Sequence, residues 1–262
     1  MPDFETEGGS TLQILVTNDD GVDAPGIAVL AKQLSALGNV TVVAPAEEMS
    51  AVSHALTLTL HLSFETVGER TYAVQGTPAD CVNFALRKLL PTPPDLVVSG
   101  INRGANVADD IAYSGTVAAA REAAMLGVRA IAVSLASKDD DADYQPAASF
   151  VQRMISSISA KQDWGRRTFL NVNVPATDIK GVRITNHGRR EPWAKLEAAA
   201  SSKGRAFQWL KQGLHPHPKV GMSDIDALRA QFIAVTPLHF DFTNYEALDE
   251  VGSWDLSHDG KK

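Results

Sequence analysis

Cysteine is nearly absent: Cys81 is the single residue of its kind among 262. An intrachain disulfide is therefore impossible and no thiolate metal site can be assembled, which makes a reducing compartment the expectation. Cys81 itself reads as a core residue rather than a nucleophile. Basic side chains are in deficit as well, with 24 Lys and Arg against 31 Asp and Glu, a net charge of -7 and a pI near 5.5. Long nucleic acids are gripped through clustered Lys and Arg, so this balance argues against such a partner and leaves a small phosphorylated substrate open. No apolar run approaches the roughly 20 residues that cross a bilayer. The opening MPDFETEGGS is acidic and has neither the basic start nor the apolar stretch of a secretory signal. These absences lead to an expected cytoplasmic protein with no membrane contact, residues 1–10 forming a flexible extension. A Walker lysine pattern and a GxGxxG are also missing, which removes the triphosphate and dinucleotide motifs.

What is present is enough apolar material, 44% of the residues, for a substantial core in one large domain or a domain with an appendage. Short β-branched runs alternate with helical patterns: LQILVT (12–17), a helix from about Pro25, VTVVAP (40–45), YAVQ (72–75), a helix near 79–90, LVVSG (96–100), a helix near 115–126, AIAVSL (130–135), a helix near 145–160, and FLNVNV (169–174). Strands so uniformly apolar are buried on both faces, which predicts an α/β fold: an open, mainly parallel sheet with helices on both sides, and ligands beyond the carboxyl ends of the strands. After about residue 180 the pattern changes to a basic stretch HGRREPWAK, a polar SSKGRAFQWLKQG and a His/Pro cluster LHPHPKVG, and then to a late strand FIAVTPL (232–238) and a polar tail with Trp254. The expected division is a core over 11–180 and a C-terminal arm and tail over 181–262, packed on the core and serving oligomer contacts.

Three stretches carry chemistry. The first strand runs into Asn18-Asp19-Asp20-Gly21, and two adjacent carboxylates repel unless a cation lies between them; the alternative is a loop whose Asp residues cap the next helix. The second strand ends at Pro45 and is followed by Glu47-Glu48-Met49-Ser50-Ala51-Val52-Ser53-His54. There Ser50 and Ser53 offer hydroxyls to a hard cation or a phosphate, or act as ordinary capping residues, and His54 is catalytic or structural. The third stretch joins Asn102, Arg103, Gly104 and Asn106 to Ser114-Gly115-Thr116 ahead of an alanine-rich helix. Asn carbonyl oxygens beside free N–H groups at a helix N-terminus suit a phosphate next to a cation, and a polar loop before a capped helix would look the same. Thr77 and Pro78 fit the N-cap and N1 positions of another helix, with Asp80 in its first turn.

Taken in order, TNDDGVDAPGI, VVAPAEEMSAVSHALTL, QGTPADCVNFAL, PDLVVSGINRGANVADDIAYSGTVAAAREA and LNVNVP resemble the stationary-phase survival protein SurE family across residues 12–175, with a looser likeness through HGRR, DIDAL and VTPLH beyond. The resemblance implies a Rossmann-like core and a metal-dependent phosphomonoesterase that hydrolyses nucleoside 5'- and/or 3'-monophosphates to nucleoside and phosphate. It implies that Asp19, Asp20, Ser50 and Asn102 ligate one divalent cation per subunit, Mg2+ or Mn2+ for an all-oxygen set. Asp19 and Asp20 are then the catalytic carboxylates. Asn18, Ser53, Asn106, Ser114, Gly115 and Thr116 become the phosphate and substrate contacts, and a homodimer or homotetramer is the expected assembly. Whether water or Asp19 attacks stays open at this level. Glu47-Glu48-Met49 and Arg103 depart from the commoner wording of the family beside the pocket, which bears on base preference and on 5' against 3' selection. His215 and His217 read as part of a solvated arm rather than a second metal site. The rivals to the nucleotidase are a hydrolase of polyphosphate or other phosphoesters, and a nucleotide-binding regulator without turnover.

Overall fold

The computed structural model describes residues 11–139, 141–158, 167–189, 194–199, 207–212, 222–254 and 256. In chain order these form β1 Leu12–Thr17, α1 Pro25–Leu34, β2 Gly38–Pro45, β3 Phe64–Gly68, β4 Thr71–Val74, α2 Pro78–Phe84, β5 Leu96–Arg103, α3 Gly115–Met125, β6 Ala130–Ala136, α4 Gln145–Ser157, β7 Thr168–Pro175, β8 Val182–Ile184, β9 Ala194–Ala199, β10 Phe207–Gln212, α5 Asp224–Arg229, β11 Ile233–His239 and α6 Leu248–Gly252. Nine strands make one sheet in the order β3-β4-β2-β1-β5-β6-β7-β11-β8, and β9 and β10 pair separately as an antiparallel hairpin. The sheet is mostly parallel. Its antiparallel pairs are β3 with β4 and β11 with β7.

Period-2 alternation explains why the central strands carry no polar face. Along β1, Ile14 and Val16 point into a core shared with Ile27, Leu30 and Leu34 of α1 and Val151 and Ile155 of α4. Leu15 points the other way, toward Cys81 and Val82 of α2 and Val117 and Ala120 of α3. Thus α1 and α4 cover one face of the central strands and α2 and α3 the other, and Cys81 is a buried core thiol as expected. Small residues along α3, from Val117 to Ala124, let it lie close against β5, β6 and β7.

Residue chemistry marks the helix starts. Thr77 caps α2 through a reciprocal capping box with Asp80, Pro78 follows in the first turn, and Ser114 caps α3. The helix expected over 79–90 is shorter: α2 ends at Phe84, Ala85–Leu89 form a wider π turn, and Leu90 is extended ahead of Pro91. β3 escaped the sequence pattern because every residue of it is exposed at the sheet edge, leaving no apolar alternation to read. The change of pattern beyond residue 180 does not end the βαβ construction as expected: β8 and β11 pair in parallel, with the hairpin and the six-residue α5 in the connection between them, and β8, three residues long and largely exposed, offered no apolar run to read. The extension over 1–10, the stretches 190–193, 200–206 and 213–221, and with them His215 and His217, lie outside the described residues. Among the described residues no helix is long and apolar enough to cross a membrane.

The order of connection creates one crevice. From β1 the chain runs through α1 to β2 on one side, then returns through α2 to β5 on the other side of β1. The helices that follow β1 and β5 lie on opposite faces, so the loops after these two strands diverge at their carboxyl ends.

Candidate active site

Asp19 and Asp20 sit at the mouth of that crevice, immediately after β1. Asp19 is only 4% exposed, and its carboxylate accepts a short hydrogen bond from the Thr116 hydroxyl at the start of α3. Burial, and secondarily the neighbouring charge of Asp20, push its carboxyl up to about 6 against the opposing pull of Thr116. Asp20 accepts a bond from the Arg103 backbone N–H at 3.1 Å. Its carboxyl is raised by burial and by Glu48, while Arg103 holds it down. Gly115 is the reason α3 can approach: a Cβ there would lie 2.8 Å from the Asp19 Cβ and 2.9 Å from its Oδ2. A similar close fit seats α1 on the sheet, because a Cβ at Gly26 would lie 2.2 Å from the carbonyl oxygen of Ile101.

The loop after β2 is tied directly to this turn. Val22 N–H donates to the Pro45 carbonyl at 2.8 Å and Met49 N–H to the Asp19 carbonyl at 2.7 Å, which brings Ser50 and Glu48 to the carboxylate pair. Ser50 is exposed and its hydroxyl donates to Glu48 Oε1 at 2.7 Å, leaving the oxygen lone pairs as an acceptor. At the carboxyl end of β5, Asn102 Nδ2 donates to the Gly104 carbonyl at 2.8 Å, so the amide is oriented with Oδ1 available as a ligand. Among the described residues no three of His, Cys, Asp and Glu converge to hold a metal. A cation at Asp19 and Asp20 would need neutral oxygens to complete its shell, and Asn102 Oδ1 and Ser50 Oγ are of the right chemistry. The raised carboxyls of two adjacent aspartates are what such a cation would relieve.

The expected phosphate contacts fall into different environments. Asn18 is buried, and its Nδ2 closes the turn on the Gly21 carbonyl at 2.7 Å while Oδ1 has no hydrogen-bond partner. Ser114 Oγ is the helix cap, accepting from Val117 N–H at 3.1 Å. Thr116 turns both its hydroxyl and its backbone N–H toward Asp19. Ser53, at φ 57°, donates its N–H to the Tyr113 carbonyl at 2.9 Å and its hydroxyl to the Ala112 carbonyl at 2.7 Å, stitching the loop after β2 to the loop before α3. Asn106 is held hard: its N–H donates to Asn173 Oδ1 at 2.8 Å, its carbonyl accepts from Asn171 Nδ2 and Asn173 Nδ2 at 2.9 Å each, and its own Nδ2 reaches Ser134 Oγ at 2.9 Å.

His54 belongs to a second layer. Arg121 Nε donates to its Nδ1 at 2.8 Å, which leaves Nε2 to carry the proton toward Glu122 Oε2 at 2.7 Å. Glu122 is buried and also accepts from Asn83 Nδ2 at 2.6 Å; these bonds, His54 first, hold its carboxyl below the usual range. This network clamps the Ser50 loop to α2 and α3. Thr57 adds a further tie, donating N–H and hydroxyl to Asp80 at 3.0 and 2.6 Å.

Sequence reasoning missed Asp224. Fully buried in α5, it accepts backbone N–H bonds from Ala108 at 3.0 Å, Gly188 at 3.0 Å and Ile225 at 2.7 Å, while His187 Nε2 lies 2.9 Å from the Ala108 carbonyl. It braces the loop that carries Asn106 from a segment 116 residues away. Asn171 and Asn173 were noticed only as part of a strand. Two asparagines on an otherwise apolar buried strand were the available signal, since a buried amide needs partners.

Residues 14–194 match the protein family described as Survival protein SurE. The chain is 46% identical over 249 residues to the 5'-nucleotidase SurE of Geobacter sulfurreducens, covering 94% of this chain and 95% of that one. The 5'-nucleotidase SurE of Syntrophotalea carbinolica is likewise 46% identical, over 94% of this chain and 98% of its own. The crystal structure of the SurE protein from Aquifex aeolicus superposes with a TM-score of 0.81 at 35% identity, covering 91% of this chain and 98% of that one.

Proposed function

The chain belongs to the survival protein SurE family, and from that premise we propose that it is a nucleotidase, a phosphomonoesterase that hydrolyses nucleoside monophosphates to nucleoside and phosphate. The observation that carries this reading is the buried Asp19 beside Asp20 at the sheet's crevice, with the N-terminus of α3 against it at Gly115. An N-terminal helix end favours an anion, and adjacent carboxylates favour a cation, so the two together suit a phosphate ester bridging them.

In this reading Asp19, Asp20, Asn102 and Ser50 hold one divalent cation, Mg2+ or Mn2+ by the hardness of the donors. When bound, the cation supplies charge stabilisation to the phosphoryl oxygens. Thr116 fixes the Asp19 carboxylate in place, and the bonds of Asn173, Asn171 and Ser134 hold Asn106 for the phosphoryl group. The amides of the first turn of α3 favour the same negative charge. Ser53 and Asn18 shape the loops around the substrate, their hydrogen bonds being to backbone carbonyls. A core over 11–180 that β8 and β11 complete from the C-terminal part, an arm and tail in the rest of 181–262, a homodimeric or homotetrameric assembly and a cytoplasmic location complete the proposal. The lone cysteine supports the location.

The test is phosphate release from a panel of 5'- and 3'-nucleoside monophosphates, sugar phosphates and short polyphosphate, after chelation and again after Mg2+ or Mn2+ is added back. Release from nucleoside monophosphates that depends on the added cation is the expected result. Release from polyphosphate or sugar phosphates alone, or binding of nucleotides without turnover, would replace this reading.

A further inference from the structure

A phosphate seat alone does not select a nucleotide, since a base must also find a flat apolar face. The loops after β1, β2 and β5, residues 18–24, 46–58 and 104–114, contain a single residue among Phe, Tyr and Trp, namely Tyr113. It lies between the buried Ala108 and the buried Ser114, yet is 58% exposed. Among the described residues its ring meets no other aromatic ring and no cation.

The position is rigid on both sides. Tyr113 N–H donates to the Asp110 carbonyl at 3.0 Å, and its carbonyl accepts from Ser53 N–H at 2.9 Å. Ser114, the next residue, caps α3, and Gly115 after it lies against Asp19. Two residues of chain span at most about 7 Å, a separation comparable with the ribose that joins a phosphate to its base. An aromatic side chain has only two side-chain torsions to order, so a ring on a pinned backbone loses little entropy when a base stacks on it.

We propose that Tyr113 is the base-stacking wall of the substrate pocket, a specificity-determining residue that turns a phosphate site into one for nucleoside monophosphates. The proposal rests on the nucleotidase reading above and deepens it. Stacking on a π face is tolerant of which base is presented, so the site accepts purines and pyrimidines with purines favoured by their larger rings.

The experiment compares wild type, Tyr113→Ala and Tyr113→Phe, each with its divalent cation, by the KM for AMP and by the Ki for inorganic phosphate as a product inhibitor. Inorganic phosphate carries the anionic part of the substrate without the base. The expected result for Y113A is a rise in the KM for AMP of roughly tenfold with a change in the phosphate Ki of about twofold or less, from the size of a base-stacking contact. Y113F restores the KM for AMP to within about twofold of wild type, since the ring face and not the hydroxyl makes the contact. Parallel rises in KM and Ki for Y113A would overturn the proposal in favour of a loop-positioning role, and so would an unchanged KM or a shift of solution mass that marks Tyr113 as a subunit contact. Failure of the underlying nucleotidase reading shows itself separately, as a wild-type protein that releases no phosphate from AMP with cation present.

Discussion

Asp19 is the residue at which stability and function are most directly opposed. Its carboxyl is pushed up to about 6 in the folded chain from an ordinary 3.8, so the folded state holds a proton more tightly than the unfolded one. The contribution is therefore neutral below about pH 3.8, turns unfavourable as pH rises through that window, and is complete above pH 6. A difference of about two units corresponds to about 3 kcal/mol in cation-free protein. Asp19→Asn removes that penalty: urea unfolding with chelator present should show wild type losing stability between pH 4 and 7.5 while the variant's curve is flatter, and cation-dependent turnover should fall by orders of magnitude. Parallel curves for the two proteins would contradict the assignment of the shift to Asp19. Gly115→Ala tests the same contact from the helix side. A Cβ 2.8 Å from that of Asp19 must push two backbones apart, which should destabilise the fold by about 1–3 kcal/mol. It should also weaken cation affinity, read by metal titration, whereas full affinity with normal stability would show that the contact is slack.

At the scale of elements, the site is three loops held in register from outside. Met49 binds the Asp19 carbonyl, Ser53 binds the loop before α3, and the His54–Glu122 contact locks the same loop onto helix α3. Asp224 does the equivalent for the loop after β5, reaching it from α5. Asp224→Ala leaves three backbone N–H groups without their acceptor in a buried place, each worth about 1–3 kcal/mol when unmet. The expectation is a loss of about 3 kcal/mol or more by chemical denaturation, together with a higher KM for nucleotide at unchanged cation affinity. If thermal and chemical stability stay at wild-type level, the three bonds do not brace the loop. Much of this layer was illegible beforehand because the bonds join residues 67, 68 and 116 positions apart. Asp80 shows the boundary well: its role in the α2 cap is local and was readable, but its second role of receiving Thr57 needed the folded chain.

The whole molecule leaves apolar side chains in water at several places among the described residues, and two of these groups bear on assembly. Leu58 and Leu60, ahead of the edge strand β3, are 84% and 75% exposed, and Phe242 and Trp254 of the tail are exposed as well. Monomers rarely keep such groups together in solvent, which supports the proposed self-association. Light scattering should return twice or four times the 28.0 kDa chain mass at micromolar concentration, and Leu58→Asp with Leu60→Asp should lower it. A wild-type monomer under those conditions would dismiss the assembly.

By itself the sequence determined what is local: uniformly apolar strands that demand helices on both faces, the Thr77 cap, and two carboxylates at the end of a buried strand. Nearest neighbours in the chain suffice for each of these, because periodicity, capping and the repulsion of adjacent charges act over a few residues. Only the tertiary structure decided which strand end faces which loop, that Gly115 must be small because Asp19 lies against it, and that Asp224, Asn173 and Glu122 brace the loops. Those facts depend on the order of strands in the sheet, which brings residues distant in the chain into contact, and on burial, which makes every polar group there require a partner.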